Sequence, residues 1–325
     1  MGIKYLNQFL KENASNSIKL CRLSELGGKK IAIDISIYMY RFASDDSLIE
    51  NMYLMLSVFR NYSIIPIFIF DGKPPVEKRE LLQKRKEDRY EAEQEYQKLK
   101  QTLEINKDMD ETDKQEILNN MDILKKKFIT ISKNDVEMVK NLIRACGATY
   151  YDAPGEADEL CAMLTIKDKV WGCLSEDMDM FVYGCPRVIR YLSLMNHTAV
   201  VYDLKGILQT LGINQQNLRD ICVLSGTDYN IECDDTNTLT KILKYFKKFH
   251  KSSSKLQFYE WLNMNHSDVI KDYELLMKIN DMFNLGINHF NIKIFEQIKI
   301  KNGPIMKNDI KNILKTDGFL FPVEI

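Results

Sequence analysis

The sequence predicts an α/β fold: a mostly parallel sheet flanked by helices, with an inserted helical segment and a helical C-terminal region. Three observations predict it. Short apolar runs read as buried parallel strands, helical patterns lie between and after them, and one long charged run breaks the alternation. The strands are Lys30-Ile31-Ala32-Ile33-Asp34, the run from Ile64 to Asp71, and the run from Val170 to Ser175. Each is brief and bounded by polar or turn residues, as a strand buried on both faces should be. Helical patterns occupy roughly 47–61, 135–146 and 155–166. From residue 78 to about 130 the chain is rich in Glu, Lys, Arg and Gln. That run reads as one or two long solvated helices, and its plainest meaning is a charged hairpin or short coiled coil. Beyond about residue 203 the chain reads as mainly helical, and the last ~35 residues show no clear pattern. Four regions follow: 1–77, an insertion at 78–134, a segment at 135–230 that completes the α/β core, and a helical region at 231–325.

The 325 residues suffice for a sizeable core, and 45% of them are hydrophobic, too many for a disordered chain. No apolar run approaches the ~18 residues of a membrane span, and the N-terminus lacks the features of a signal peptide. Lysine plus arginine number 45 and aspartate plus glutamate 46, a net charge of −1. That balance argues against coating nucleic acid by bulk charge but leaves room for a local basic surface. Seven cysteines are scattered, with no C-x-x-C, so neither a disulfide framework nor a zinc site is supported. They read as small buried hydrophobes in a reducing compartment. The four histidines show no H-E-x-x-H spacing, which argues against histidine or zinc catalysis.

The chemistry lies in the acids. The first two strands end in Asp34 and Asp71, and the third is followed by Asp177 and Asp179 in Ser-Glu-Asp-Met-Asp. Glu156 and Asp158 follow the turn Pro154-Gly155 at the start of a helix, and Asp228 stands in Ser-Gly-Thr-Asp-Tyr. Ligands of an open parallel sheet bind beyond the carboxyl ends of its strands, so these acids should converge. Gathered carboxylates need a counter-charge, and oxygen-only ligation suits two magnesium or manganese ions. Two such ions about 3.5–4 Å apart stabilise the attacking and leaving oxygens of an in-line phosphoryl displacement and generate hydroxide without a histidine base. Any one of these acids alone could be a turn or N-cap residue. The ordered set favours a shared site. A D-x-D after the first strand, a phosphate-binding G-x-x-x-x-G-K-[ST] loop and a G-x-G-x-x-G fingerprint are all missing.

The chain resembles the XPG/flap endonuclease family of structure-specific nucleases. The resemblance rests on Met1-Gly2-Ile3 with Leu6, Ala32 to Ser36, Phe70-Asp71-Gly72-Lys73-Pro74-Pro75, Asp152 to Asp158, Glu176-Asp177-Met178-Asp179 and Leu224 to Tyr229, in order. It covers roughly residues 1–230. It implies a PIN-like core, seven metal-site carboxylates (the same seven acids) and hydrolysis of phosphodiesters near the 5′ end of branched or 5′-flap DNA. It also implies that the insertion is an arch through which the 5′ single strand passes. Lys78 and Arg85 match a basic pair that reaches the scissile phosphate; the competing reading is solvated helix-surface charge. Tyr40 matches an aromatic that stacks on the base beside the cleaved bond, and otherwise reads as a core tyrosine. Expected DNA contacts are Gly2, Tyr40, Lys84, Lys241, Lys244, Lys247 and Lys248.

Two departures matter. Between Asn230 and Lys241, where the family has a glycine-containing hairpin that holds potassium and grips duplex phosphates, there is no glycine, and Asp234 and Asp235 would repel DNA. A potassium site is therefore not expected. The lysine run from 241 to 255 can substitute as phosphate contacts, or can be the outer face of a helix whose apolar side is Ile242, Leu243, Tyr245, Phe246 and Phe249. No sliding-clamp motif is found. The expected activity is flap cleavage, 5′→3′ exonuclease action or Holliday-junction resolution; a non-catalytic junction scaffold is the alternative of another class. The expected state is a monomer, unless the protein acts on four-way junctions. The expected location is intracellular and reducing, nucleus or cytoplasm, with a viral replication site included.

Overall fold

A computed structural model describes residues 3–105, 110–230, 238–252, 254–285 and 298–319. One seven-stranded sheet organises the fold. Its strands are β1 (Ile18–Arg22), β2 (Lys30–Asp34), β3 (Ile65–Phe70), β4 (Thr149–Asp152), β5 (Gly172–Leu174), β6 (Arg187–Ser193) and β7 (Thr198–Asp203). They lie in the order β1-β7-β6-β5-β2-β3-β4. The run β6-β5-β2-β3-β4 is parallel, while β7 pairs antiparallel with both β6 and β1. The sheet is thus mostly parallel, as expected, with an antiparallel edge. The chain leaves β2 toward β3 on one side, whereas β5 pairs with β2 on the other. The strand order reverses there, and a crevice opens at such a point.

The helices are α1 (Leu6–Asn13), α2 (Ile35–Ser44), α3 (Leu48–Asn61), α4 (Arg79–Ile105), α5 (Glu111–Phe128), α6 (Lys133–Ala145), α7 (Ala157–Ile166) and α8 (Asp179–Tyr183). The rest are α9 (Leu204–Leu211), α10 (Gln215–Leu224), α11 (Leu239–Lys251), α12 (Phe258–Asn265), α13 (Tyr273–Met282) and α14 (Lys307–Thr316). Successive side chains of β3 point to opposite faces. Ile67 and Ile69 join a core with Leu160, Phe181 and Ile221, while Phe68 and Phe70 join another with Tyr38, Met55 and Leu142. Burial on both faces explains why the central strands read as unbroken apolar runs.

Between β3 and α6 the charged run forms two long helices. The 27 residues of α4 span about 40 Å. Ala92 of α4 and Met121 and Leu124 of α5 are buried, and the Tyr96 and Phe128 rings meet at 5.3 Å. Lys125 of α5 ion-pairs with Asp46, just beyond α2.

The final described segment returns to the α/β core. Met306 N–H donates to Ala145 O at 2.8 Å, and Asn302 Nδ2 donates to Ile64 O at 2.9 Å. Gly303 N–H donates to Gly147 O at 2.6 Å. Gly147 has φ +73°, and a Cβ there would lie 2.5 Å from Gly303 O. Ile310 and Leu314 of α14 complete the core formed by α2, α3 and α6. The six described cysteines are unpaired, and among the described residues no helix is long and apolar enough to cross a membrane.

Candidate active site

The acids come together beyond the carboxyl ends of β2, β3 and β5. Asp34, Asp71, Glu156, Asp158, Asp177 and Asp228 line one cleft of about 410 Å³, together with Ser36, Tyr40, Lys78 and Arg85. Asp179 stands behind Asp177 at the start of α8, 3% exposed, and its backbone N–H donates to Asp177 Oδ1 at 3.0 Å.

Local bonds aim these carboxylates. Ser175 Oγ, just past β5, donates to Asp34 Oδ2 at 3.1 Å and accepts from Asp177 N–H at 3.2 Å. Asp71 Oδ1 accepts from Ala157 N–H at 2.9 Å, at the first turn of α7, and its other oxygen accepts from Ser36 Oγ. An N-terminal helix amide facing a carboxylate is favourable both as a hydrogen bond and through the helix dipole. Gly72 makes this register possible. Its N–H donates to Gly155 O at 2.7 Å, and a Cβ there would lie 2.0 Å from Ala153 O. Only glycine lets the two turns touch.

Lys78 and Arg85 enter from the base of α4. Lys78 Nζ pairs with Glu156 and lies 3.9 Å from Asp228. Arg85 Nη2 pairs with Asp228 at 2.9 Å. Burial pushes the Asp34 carboxyl up to about 7, and Asp71 and Asp177 add to the shift. Burial also drives Asp158 and Asp179 well above the usual carboxylate range, reinforced by Glu156 and by Asp177 respectively. Asp177 is raised mainly by burial. Burial works against the Lys78 ammonium, but Glu156, Asp158 and Asp228 outweigh it and hold its pKa above the ordinary value. The cleft is therefore short of positive charge, and its acids tend to keep protons until more arrives.

The donor set suits hard divalent cations: every side-chain donor is a carboxylate oxygen, and Asp179 Oδ1 is buried with no partner. Among the described residues no three acids stand in ready-made ligating geometry. Lys78 and Arg85 supply the counter-charge in this conformation.

The other expected residues divide. Tyr40 of α2 is 46% exposed and lines the cleft, unlike a core tyrosine. Lys84 is exposed on α4 but does not line it. On α11, Lys244, Lys247 and Lys248 are exposed and Lys241 is half-buried, while Ile242 and Phe246 are buried. None of these four lysines lines the acid cleft. Gly2 and the stretch 231–237, which holds Asp234 and Asp235, lie outside the described residues. Sequence reasoning missed Ser36, Ser175 and Tyr229, whose hydroxyl donates to Glu156. Each had a positional signal: Ser36 and Tyr229 close matched motifs beside Asp34 and Asp228, and Ser175 ends the third apolar run.

Two family descriptions match the chain: the XPG N-terminal domain over residues 1–92 and the XPG I-region over residues 147–228. Flap endonuclease 1 of Candida tropicalis is 30% identical over 287 residues, 82% of this chain and 72% of that one. Flap endonuclease 1 of Lodderomyces elongisporus is 31% identical over 249 residues, 70% of this chain. The match spans only 61% of that relative's length. The catalytic core of Rad2 in complex with DNA substrate has the same fold, with a TM-score of 0.65 at 20% identity over 98% of this chain and 96% of that one. The matched regions contain all seven clustered acids, and by these likenesses the chain belongs to the XPG/flap endonuclease family.

Proposed function

We propose that this protein is a metal-dependent, structure-specific 5′ nuclease that hydrolyses phosphodiester bonds in flap or branched DNA. One observation carries the reading: six carboxylates, from the ends of β2, β3 and β5, the start of α7 and the turn after α10, line a single cleft with Lys78 and Arg85 at the base of the α4–α5 pair, and Asp179 stands just behind them. The relatives named flap endonuclease 1 and the Rad2 core bound to DNA support it.

Asp34, Asp71, Glu156, Asp158, Asp177, Asp179 and Asp228 would hold two divalent cations, magnesium or manganese. When bound, such ions supply charge stabilisation for an in-line phosphoryl displacement and ease the ionisation of water. The chain's own residues do the rest. Ser36, Ser175 and the Ala157 amide orient the carboxylates. Lys78 and Arg85, paired here with Glu156 and Asp228, would turn to the scissile phosphate and stabilise its developing charge. Tyr40 offers an exposed ring on which the neighbouring base stacks.

The α4–α5 pair, within the insertion at 78–134, is the arch for the 5′ single strand. A gap of about 700 Å³ lies between Tyr40 of α2 and the two helices, bordered by Arg85, Arg89, Lys126 and Lys127 and also by Asp88, Glu91 and Glu95. Lys84, Lys244, Lys247 and Lys248 contact phosphates without reading sequence. The protein acts as a monomer on flaps, inside the cell where DNA is processed.

Product mapping on flap, nicked, gapped and four-way DNA tests the substrate. Asp179→Ala tests the site: cleavage of a 5′ flap with magnesium should vanish while the melting temperature is kept. Parental cleavage by that variant would refute the site.

A further inference from the structure

Tyr229, one residue past Asp228, joins three parts of the molecule that local sequence does not connect. Its hydroxyl donates to Glu156 Oε2. Its ring lies 5.6 Å from Lys78 Nζ, and Lys78 pairs with the other oxygen of Glu156. Its far side packs on Phe283, just past α13, at 5.4 Å between ring centroids. The Tyr183 hydroxyl lies 3.4 Å away, and Tyr183 also packs on Phe283, at 4.8 Å.

The tyrosine has little freedom. It is buried, and the turn that carries it is pinned by Asn230 Oδ1, which accepts from both Thr227 N–H and Thr227 Oγ1 at 2.6 and 2.7 Å.

We propose that Tyr229 is a positioning residue of the acid cleft: its hydroxyl holds the Glu156 carboxylate in the orientation that takes a divalent cation, and its ring seats the Lys78 ammonium. The proposal rests on the nuclease reading above. A carboxylate that ligates a metal is itself held by outer hydrogen bonds, and loss of such a bond typically costs 10–100-fold in metal affinity or activity. A ring beneath an ammonium attracts it without consuming its donors. The ring contact thus leaves available to a phosphate the Lys78 N–H groups that Glu156 does not take.

The test uses the full-length protein and two variants. Tyr229→Phe removes the hydroxyl and keeps the ring, and Tyr229→Leu removes both. Manganese binding without DNA, followed by electron paramagnetic resonance, should weaken roughly tenfold in Tyr229→Phe with little change in melting temperature. Tyr229→Leu should lower the single-turnover rate on a 5′ flap below that of Tyr229→Phe, and the extra loss should disappear in a Lys78→Ala background. Manganese affinity within about twofold of the parent in Tyr229→Phe, well short of the expected loss, would overturn the first role. An undiminished extra loss in the Lys78→Ala background would overturn the second. Asp179→Ala run alongside separates the two levels. If it is inactive while Tyr229→Phe binds manganese normally, only the role of Tyr229 falls.

Discussion

Asp34→Asn should make the metal-free protein more stable, not less. Asp34 is buried at the end of β2, 7% exposed, with its carboxyl pushed up to about 7. In the unfolded chain the same group titrates near 3.9. Between those values the folded state holds more protons than the unfolded state, so stability falls as pH rises through the window. Above about 7 the full cost of an ionised Asp34 is present. A shift of about three units corresponds to roughly 4 kcal/mol, an upper bound before relaxation and coupling to Asp71 and Asp177 are allowed for. About 2 kcal/mol is a reasonable expectation. Asparagine keeps the shape, and its carbonyl oxygen can still accept from Ser175 Oγ. At roughly 2 °C per kcal/mol for a chain of this size, the variant should melt about 4 °C higher.

The assay is thermal unfolding in chelator at about pH 8 and about pH 5, on either side of the shifted value. The gain should be full at the higher pH and cut to about a third at the lower, where the folded parent is neutral at this position but the unfolded chain is still ionised. Excess magnesium should erase or reverse it, because a ligand that binds only the folded parent stabilises the parent. No gain at the higher pH, or an equal gain at both, would refute the claim that Asp34 is a desolvated acid crowded by like charges.

Arg85→Ala should slow single-turnover cleavage of a 5′ flap by roughly 100-fold or more while changing DNA affinity only a few-fold. Equal losses in rate and affinity would mark Arg85 as a simple phosphate contact. Gly72→Ala should destabilise by about 3 kcal/mol, since its Cβ would sit 2.0 Å from Ala153 O and the contacting atom is backbone. Urea unfolding checks this, and a midpoint within error of the parent would show that the two turns can separate.

The legible parts of the fold were those that bury both faces. β2, β3 and β5 are central strands, so their apolar runs were unbroken. β1 and β4 lie at the sheet edges and expose side chains, which removes the run that would reveal them. β6 carries Arg190, a buried guanidinium that donates to Glu176 O at 2.9 Å and ion-pairs with the Glu176 carboxylate. A charged residue in mid-strand hides the strand from an apolarity pattern, although here it ties β6 to the acid loop. The site was legible at its acids because a strand end is a marked position in a parallel sheet. Its supporting bonds were not. Tyr229 and Glu156 are 73 residues apart, and Ser175 and Asp34 are 141 apart. No local pattern records such a bond. The C-terminal segment is a similar case: Ile310 and Leu314 find their partners on α6, far upstream.

The net charge of −1 gains a structural meaning from this arrangement. Six acids line one cleft and Asp179 stands behind them, and apart from these seven the chain carries +6. Two of its cations, Lys78 and Arg85, are already inside the cleft, on Glu156 and Asp228. They make the metal-free fold tolerable, for without them the acids would face one another with only protons to relieve the repulsion. The same pairing gives the site an order of events. A phosphate entering before the cations would meet bare carboxylates, and Lys78 and Arg85 could reach it only by abandoning Glu156 and Asp228. Divalent ions held by these acids would relieve that conflict, leaving Lys78 and Arg85 available to the phosphate together. Metal and DNA should therefore bind with positive coupling, and by linkage DNA should raise metal affinity by the same factor that metal raises DNA affinity.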